Sequence, residues 1–103
     1  MIGLMHVPRG NGRRGKRDGT HVPIVRALRA VGCSVLELHG VGGGCPDILA
    51  GRGGRSWLLE VKDPKGRDRV EPSQVAFAAS WRGCPVLVVR SVAEALAAVG
   101  VPA

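Results

Sequence analysis

The stretch CPDILAGRGGRSWLLEVK, residues 45–62, carries two apolar runs on either side of a glycine pair, and its reading decides the fold. PDILAG and SWLLEVK have strand composition, and RGGR between them supplies the glycines that a tight hairpin turn needs. Side chains of a strand alternate between faces. In the second run this puts Trp57, Leu59 and Val61 on one face, with the composition of a core, and Leu58, Glu60 and Lys62 on the other. The charges are the anomaly. Asp47 at the start of one strand and Glu60 within its partner are placed to converge on one side of a sheet, with Lys62 on the same face as Glu60.

Elements follow outward from the hairpin. Upstream, HVPIVRALRAVG places Ile24, Ala27, Leu28 and Val31 at helical spacing, with Arg26 and Arg29 off that stripe. The spacing predicts a helix from Pro23, whose missing N–H costs nothing in a first turn, to about Gly32. CSVLELH reads as a strand, and GVGGG after it as a flexible connection, because neither nucleotide-binding glycine fingerprint is completed. Downstream of the hairpin a polar loop, DPKGRDRV, leads to EPSQVAFAASWRG. Here Pro72 opens a helix with Gln74, Phe77, Ala78 and Trp81 on its inward side and Gly83 at its end. CPVLVVR has the continuous apolar run of a strand buried on both faces. SVAEALAAVG is a last helix with a capping box, Ser91 to Glu94, and a closing Gly100. The order α-β-β-β-α-β-α implies an α/β fold: an antiparallel meander extended by one parallel strand through a helical crossover, flanked by helices.

The 103 residues suffice for one domain and one core. Hydrophobic residues make up 45% of the chain but aromatics only 3%, so the interior is built from Val, Leu, Ile and Ala. A net charge of +7 favours a polyanionic partner, most simply nucleic acid. Residues 9–19, RGNGRRGKRDG, have almost no apolar side chain to offset the entropy of ordering. Residues 1–19 are read as a flexible basic arm and 20–103 as the domain, with Arg9, Arg13, Arg14, Lys16 and Arg17 placed to lie along phosphates, joined by Lys65 and Arg67 of the polar loop. Cys33, Cys45 and Cys84 form no C-x-x-C pair, which argues against a zinc knuckle or disulfide framework and for a reducing cytoplasm. No run reaches the length of a membrane span.

Two carboxylates side by side are suited to Mg²⁺, which binds through one or two acids and completes its shell with water and phosphate oxygens. A lysine beside them can orient an attacking water and stabilise charge on a phosphate. Against this, E-x-K in a strand is also what an exposed ion pair of little consequence looks like.

The combination PD, strand, glycine turn, LLEVK, loop and a helix carrying Gln74 resembles the PD-(D/E)XK nuclease superfamily. More narrowly it is similar to its small stand-alone VRR-NUC-like members, often phage-borne and similar to Holliday junction resolvases. GGGCPDILAG, WLLEVKD, EPSQ and PVLVVRSVAEAL carry the likeness, which runs from about residue 18 to residue 100. It implies a restriction-endonuclease-like fold and a DNA endonuclease dependent on Mg²⁺ or Mn²⁺, selective for branched DNA and working as a homodimer. Asp47, Glu60 and the carbonyl of Val61 would ligate the metal, Lys62 would act on the water or the transition state, and Gln74 would contact the site or cap its helix. Many relatives carry a further glutamate on the first helix. That place falls at or beside Pro23, with Asp18 and an exposed loop residue, His21, as the nearest substitutes. A single metal is therefore expected. Two other readings are a nucleic-acid-binding module of the same fold that has lost catalysis, and an interaction domain in which Asp47 and Glu60 lie apart.

Overall fold

The structure, a computed structural model, describes residues 19–65 and 69–102. Seven elements follow in the predicted order: α1 (His21–Ala30), β1 (Ser34–Glu37), β2 (Ile48–Arg52), β3 (Arg55–Val61), α2 (Pro72–Ser80), β4 (Val86–Val89) and α3 (Val92–Ala98). The strands form one sheet in the order β1-β2-β3-β4, antiparallel up to β3 and parallel between β3 and β4. The hairpin turn is Arg52-Gly53-Gly54-Arg55, and both glycines take positive φ, the backbone that a two-residue turn between twisted strands demands. The expected mixed α/β sheet with flanking helices is present.

One face of the sheet carries the core. Ile48, Ala50, Trp57, Leu59, Val61 and Val89 pack there against Ile24, Val25 and Leu28 of α1 and Ala95 of α3. The helix α1 begins two residues before Pro23. Pro23 thus occupies the third helical position, where the N–H it lacks would still find no partner within the helix. His21 is the first residue of that helix and is 6% exposed, which corrects its reading as an exposed loop residue; its Nε2–H donates to Glu37 Oε1 at 2.9 Å. At the start of α3, Ser91 Oγ accepts the Glu94 N–H as expected, whereas Glu94 Oε1 reaches past Ser91 to the Arg90 N–H.

The opposite face is covered differently from expectation. The strand β4 was expected to be buried on both faces, but only Val89 is buried, because β4 is the edge of the sheet and Val88 is left 42% exposed. Nor does α2 bury any residue: its inward stripe is only partly covered, with Trp81 exposed and stacked on Phe77 at a centroid distance of 5.3 Å. Of the basic residues expected to meet phosphates, Lys65 is described and exposed. Arg9, Arg13, Arg14, Lys16, Arg17 and Arg67 lie outside the described residues.

A single side chain ties the hairpin turn to both helices of the core face. Arg52 donates from Nε to the Val31 carbonyl at 3.4 Å and from Nη1 to the Val99 carbonyl at 3.3 Å. These are the carbonyls at the C-terminal ends of α1 and α3, where cations are favoured and acceptors lack partners within the helix. Arg52→Met keeps the aliphatic stem but loses both bonds, and is expected to cost about 1 kcal/mol. Thermal unfolding should show a midpoint lower by roughly 4–8 °C, with the native circular dichroism spectrum retained.

Candidate active site

The site is assembled by strand register. The last pair of the β2–β3 ladder is Ile48 with Leu59, so one step further Asp47 stands opposite Glu60, on the face away from the core. Asp47 Oδ2 accepts the Val61 N–H at 2.8 Å, which continues the pairing by a side chain where β2 has not yet begun. Glu60 Oε2 accepts from Gln74 Nε2 at 2.8 Å and meets Lys62 Nζ at 3.3 Å. The expected residues Asp47, Glu60, Lys62 and Gln74 are therefore gathered at one end of the sheet from the loop leading into β2, from β3 and the residue directly after it, and from α2.

Burial separates this group from a surface ion pair. Glu60 is 5% and Lys62 7% exposed. Burial, and next the charge of Asp47, hold the Glu60 carboxyl up at about 7, against the opposing pull of Lys62. Glu60 Oε1 is buried and has no hydrogen-bond partner. A buried carboxylate oxygen without a donor is costly, and here it lies beside a second carboxylate that raises the cost further. A hard divalent cation relieves both penalties, so the donor set fits Mg²⁺ or Mn²⁺, whose bound form would supply Lewis-acid polarisation of a phosphate and a more acidic water. Among the described residues no group of three or more His, Cys, Asp or Glu side chains is arranged to hold a metal. The fit therefore rests on two acids.

Gln74 does both things that its sequence position allowed. Its Oε1 accepts the Glu71 N–H at 2.8 Å, closing the capping box at the start of α2, and this fixes which end of the amide faces Glu60. Gly44 brings the preceding loop against the same helix start: a Cβ at this position would run into the Ser73 carbonyl, and φ is +81°. The sequence reading missed Cys45. Burial, and then the charges of Glu60 and Asp47, push its thiol up, which places it beside the acid pair; its signal was adjacency to the PD dipeptide. Arg90 was also missed. It donates from Nη1 to the Asp63 carbonyl at 2.6 Å and so braces the segment after Lys62 against the end of β4.

Residues 11–100 match the family described as archaeal Holliday junction resolvase (Hjc). The chain belongs to this family. The match covers the whole sheet and every element around it, and it implies a nuclease whose substrate is DNA, with resolvase activity on Holliday junctions. No curated protein and no solved structure matches the chain. No helix among the described residues is long and apolar enough to cross a membrane. The interaction-domain reading is favoured by Asp47 and Glu60 lying far apart or on opposite faces, whereas the strand register sets them opposite each other on one face.

The raised Glu60 carboxyl gives a measurable signature in metal-free protein. Between about 4.5 and about 7 the folded chain keeps a proton that the unfolded chain has lost, so stability falls as pH rises through that window and levels off above it. The melting temperature should drop by on the order of 10 °C across it. Glu60→Gln should remove that part of the slope and melt higher than the parent at pH 8.

Proposed function

We propose that this resolvase-family chain is a metal-dependent endonuclease that hydrolyses phosphodiester bonds of branched DNA, of the small stand-alone VRR-NUC-like, phage-borne type. The single observation that carries the metal site is the buried, donorless Glu60 Oε1, on a carboxyl that burial and the charge of Asp47 push up. In this reading Asp47 and Glu60 hold one Mg²⁺ or Mn²⁺. The Val61 carbonyl joins them, since in an extended strand a residue's C=O points to the same side as its N–H, and the Val61 N–H points to Asp47. Lys62 stands at the rim of the acid pair, where an ammonium can orient a water and take up charge developing on the phosphate. Gln74 keeps Glu60 Oε2 engaged, so that Oε1 is the oxygen left for the cation.

Two symmetric cuts in a junction need two sites, which a chain of this size obtains by pairing with its own copy. The surface that supports a homodimer is the uncovered side of α2 and β4. Val75, Trp81 and Leu87 are exposed there, beside a groove of about 200 Å³ between α2 and β4 whose lining includes Glu60 and Gln74 and which therefore opens on the site itself. The basic arm, residues 1–19, is read as the phosphate-binding extension of a domain spanning 20–103.

Cleavage of a synthetic four-way junction with Mg²⁺ or Mn²⁺ tests the reading. Asp47→Ala, Glu60→Gln and Lys62→Met should each slow the single-turnover rate by about 10²-fold or more while leaving junction affinity in EDTA near that of the parent. A parent that binds junctions but never cuts them would mark the chain as the catalytically silent binding module instead. Light scattering should report a dimer that Trp81→Glu converts to a monomer. Deleting residues 9–17 should flatten the dependence of DNA affinity on salt, because each lost phosphate contact removes roughly 0.9 from the logarithmic slope.

A further inference from the structure

The loop joining β1 to β2 has a feature that the hydrolytic site does not use. Its sequence from 39 to 44 is HGVGGG, and Gly40, Gly42, Gly43 and Gly44 all adopt positive φ. Contrary to the flexible connection expected from composition, the loop is held at several points. The Leu38 N–H donates to the Asp47 carbonyl at 2.7 Å and closes the base of the loop on the residue that carries the site. The Val41 N–H donates to the Leu38 carbonyl at 3.1 Å, and the Cys45 N–H to the Gly42 carbonyl at 3.2 Å. Gly44 rests against Ser73 at the start of α2. Where the first of these turns meets the second stands Val41, 65% exposed, the most exposed of the large hydrophobic side chains among the described residues.

Single apolar side chains on a surface are ordinary. What distinguishes Val41 is its setting on a braced finger anchored at Asp47. Glycines flank Val41 and let a sugar-phosphate backbone approach closely, and the β-branched side chain is stiff about χ1, so it keeps its direction under load. We propose that Val41 is a specificity-determining wedge, which enters between bases at a branch point beside the phosphate presented to Asp47 and Glu60. This rests on the branched-DNA reading above. Apolar wedges in DNA-binding proteins work by separating stacked base steps. In continuous duplex the stacking must be broken first, whereas at a branch it is already interrupted, so the same side chain favours the branch and disfavours the duplex.

The experiment uses the full chain in EDTA, a four-way junction with 2-aminopurine at the branch, and the matching duplex. Parent protein should raise the 2-aminopurine fluorescence about threefold on the junction and leave the duplex signal unchanged. Val41→Ser should lose that rise and about tenfold of the junction-over-duplex preference, with duplex affinity and melting temperature unchanged. Val41→Leu should retain both. A Val41→Ser protein with the parent's fluorescence rise and preference overturns the wedge and leaves the branched-DNA reading standing. A parent with no preference for the junction overturns the reading and the wedge together.

Discussion

The hydrogen bond from the Val61 N–H to Asp47 Oδ2, 2.8 Å long, joins the loop that enters β2 to the far end of β3, and the site depends on it. It continues the antiparallel ladder one step with a carboxylate in place of a carbonyl. Asp47 is thereby held opposite Glu60, whose ionisation its charge penalises. Such a juxtaposition is unfavourable alone. It persists because the rest of the sheet overdetermines the register: Ile48, Ala50, Trp57 and Leu59 are committed to the core face, and a slip of one residue would turn all of them outward. The apolar face thus enforces a strained polar arrangement on the face behind it.

The same logic extends to α2. The helix buries nothing, so its position owes little to packing and much to Gln74, which bonds Glu71 at the helix start and Glu60 on the sheet. Gly44, closed against Ser73, adds a backbone contact from the β1–β2 loop. Three segments distant in sequence therefore meet around one carboxylate. The outer side of α2 and the edge strand β4 remain open and apolar, a combination of free edge and exposed valines that a solitary domain would ordinarily cover or charge.

The sheet and the acid pair were legible because both follow from period-2 alternation, a local rule: the charge at Glu60 could only fall on the face opposite Leu59, and the glycine turn fixed which residue faced it. What escaped the sequence depended on the surroundings of an element. The apolar run of β4 looks like a doubly buried strand, yet its exposure is set by its place at the sheet edge and by how little α2 covers. His21 escaped because the preference of proline for the first helical position points to Pro23 as the helix start, whereas the first turn also tolerates proline two positions in. Cys45 and Arg90 carry no periodic signal; one is near the acids only through the turn of the loop, and the other acts on a carbonyl 27 residues away.

Pro23 brings no acid to the first helix, which bears on how much positive charge the site can accept. His21, two residues before, is directed to Glu37, which belongs to the core-side face of β1, since Glu37 pairs with Ile48. Neither group adds to the acids on the opposite face, and the described residues offer no third donor side chain there. Counted at formal charge, two carboxylates and one lysine sum to one net negative charge, the state into which a bound cation would draw Glu60 from its raised carboxyl. One divalent cation turns this to a single positive charge, attractive to a phosphodiester and tolerable at partial burial. A second would leave three uncompensated positive charges within a few ångströms, where a reduced dielectric makes repulsion severe. Asp47 and Glu60 are thus the two acids that the described residues bring together on this face, with Lys62 directly after β3 against Glu60.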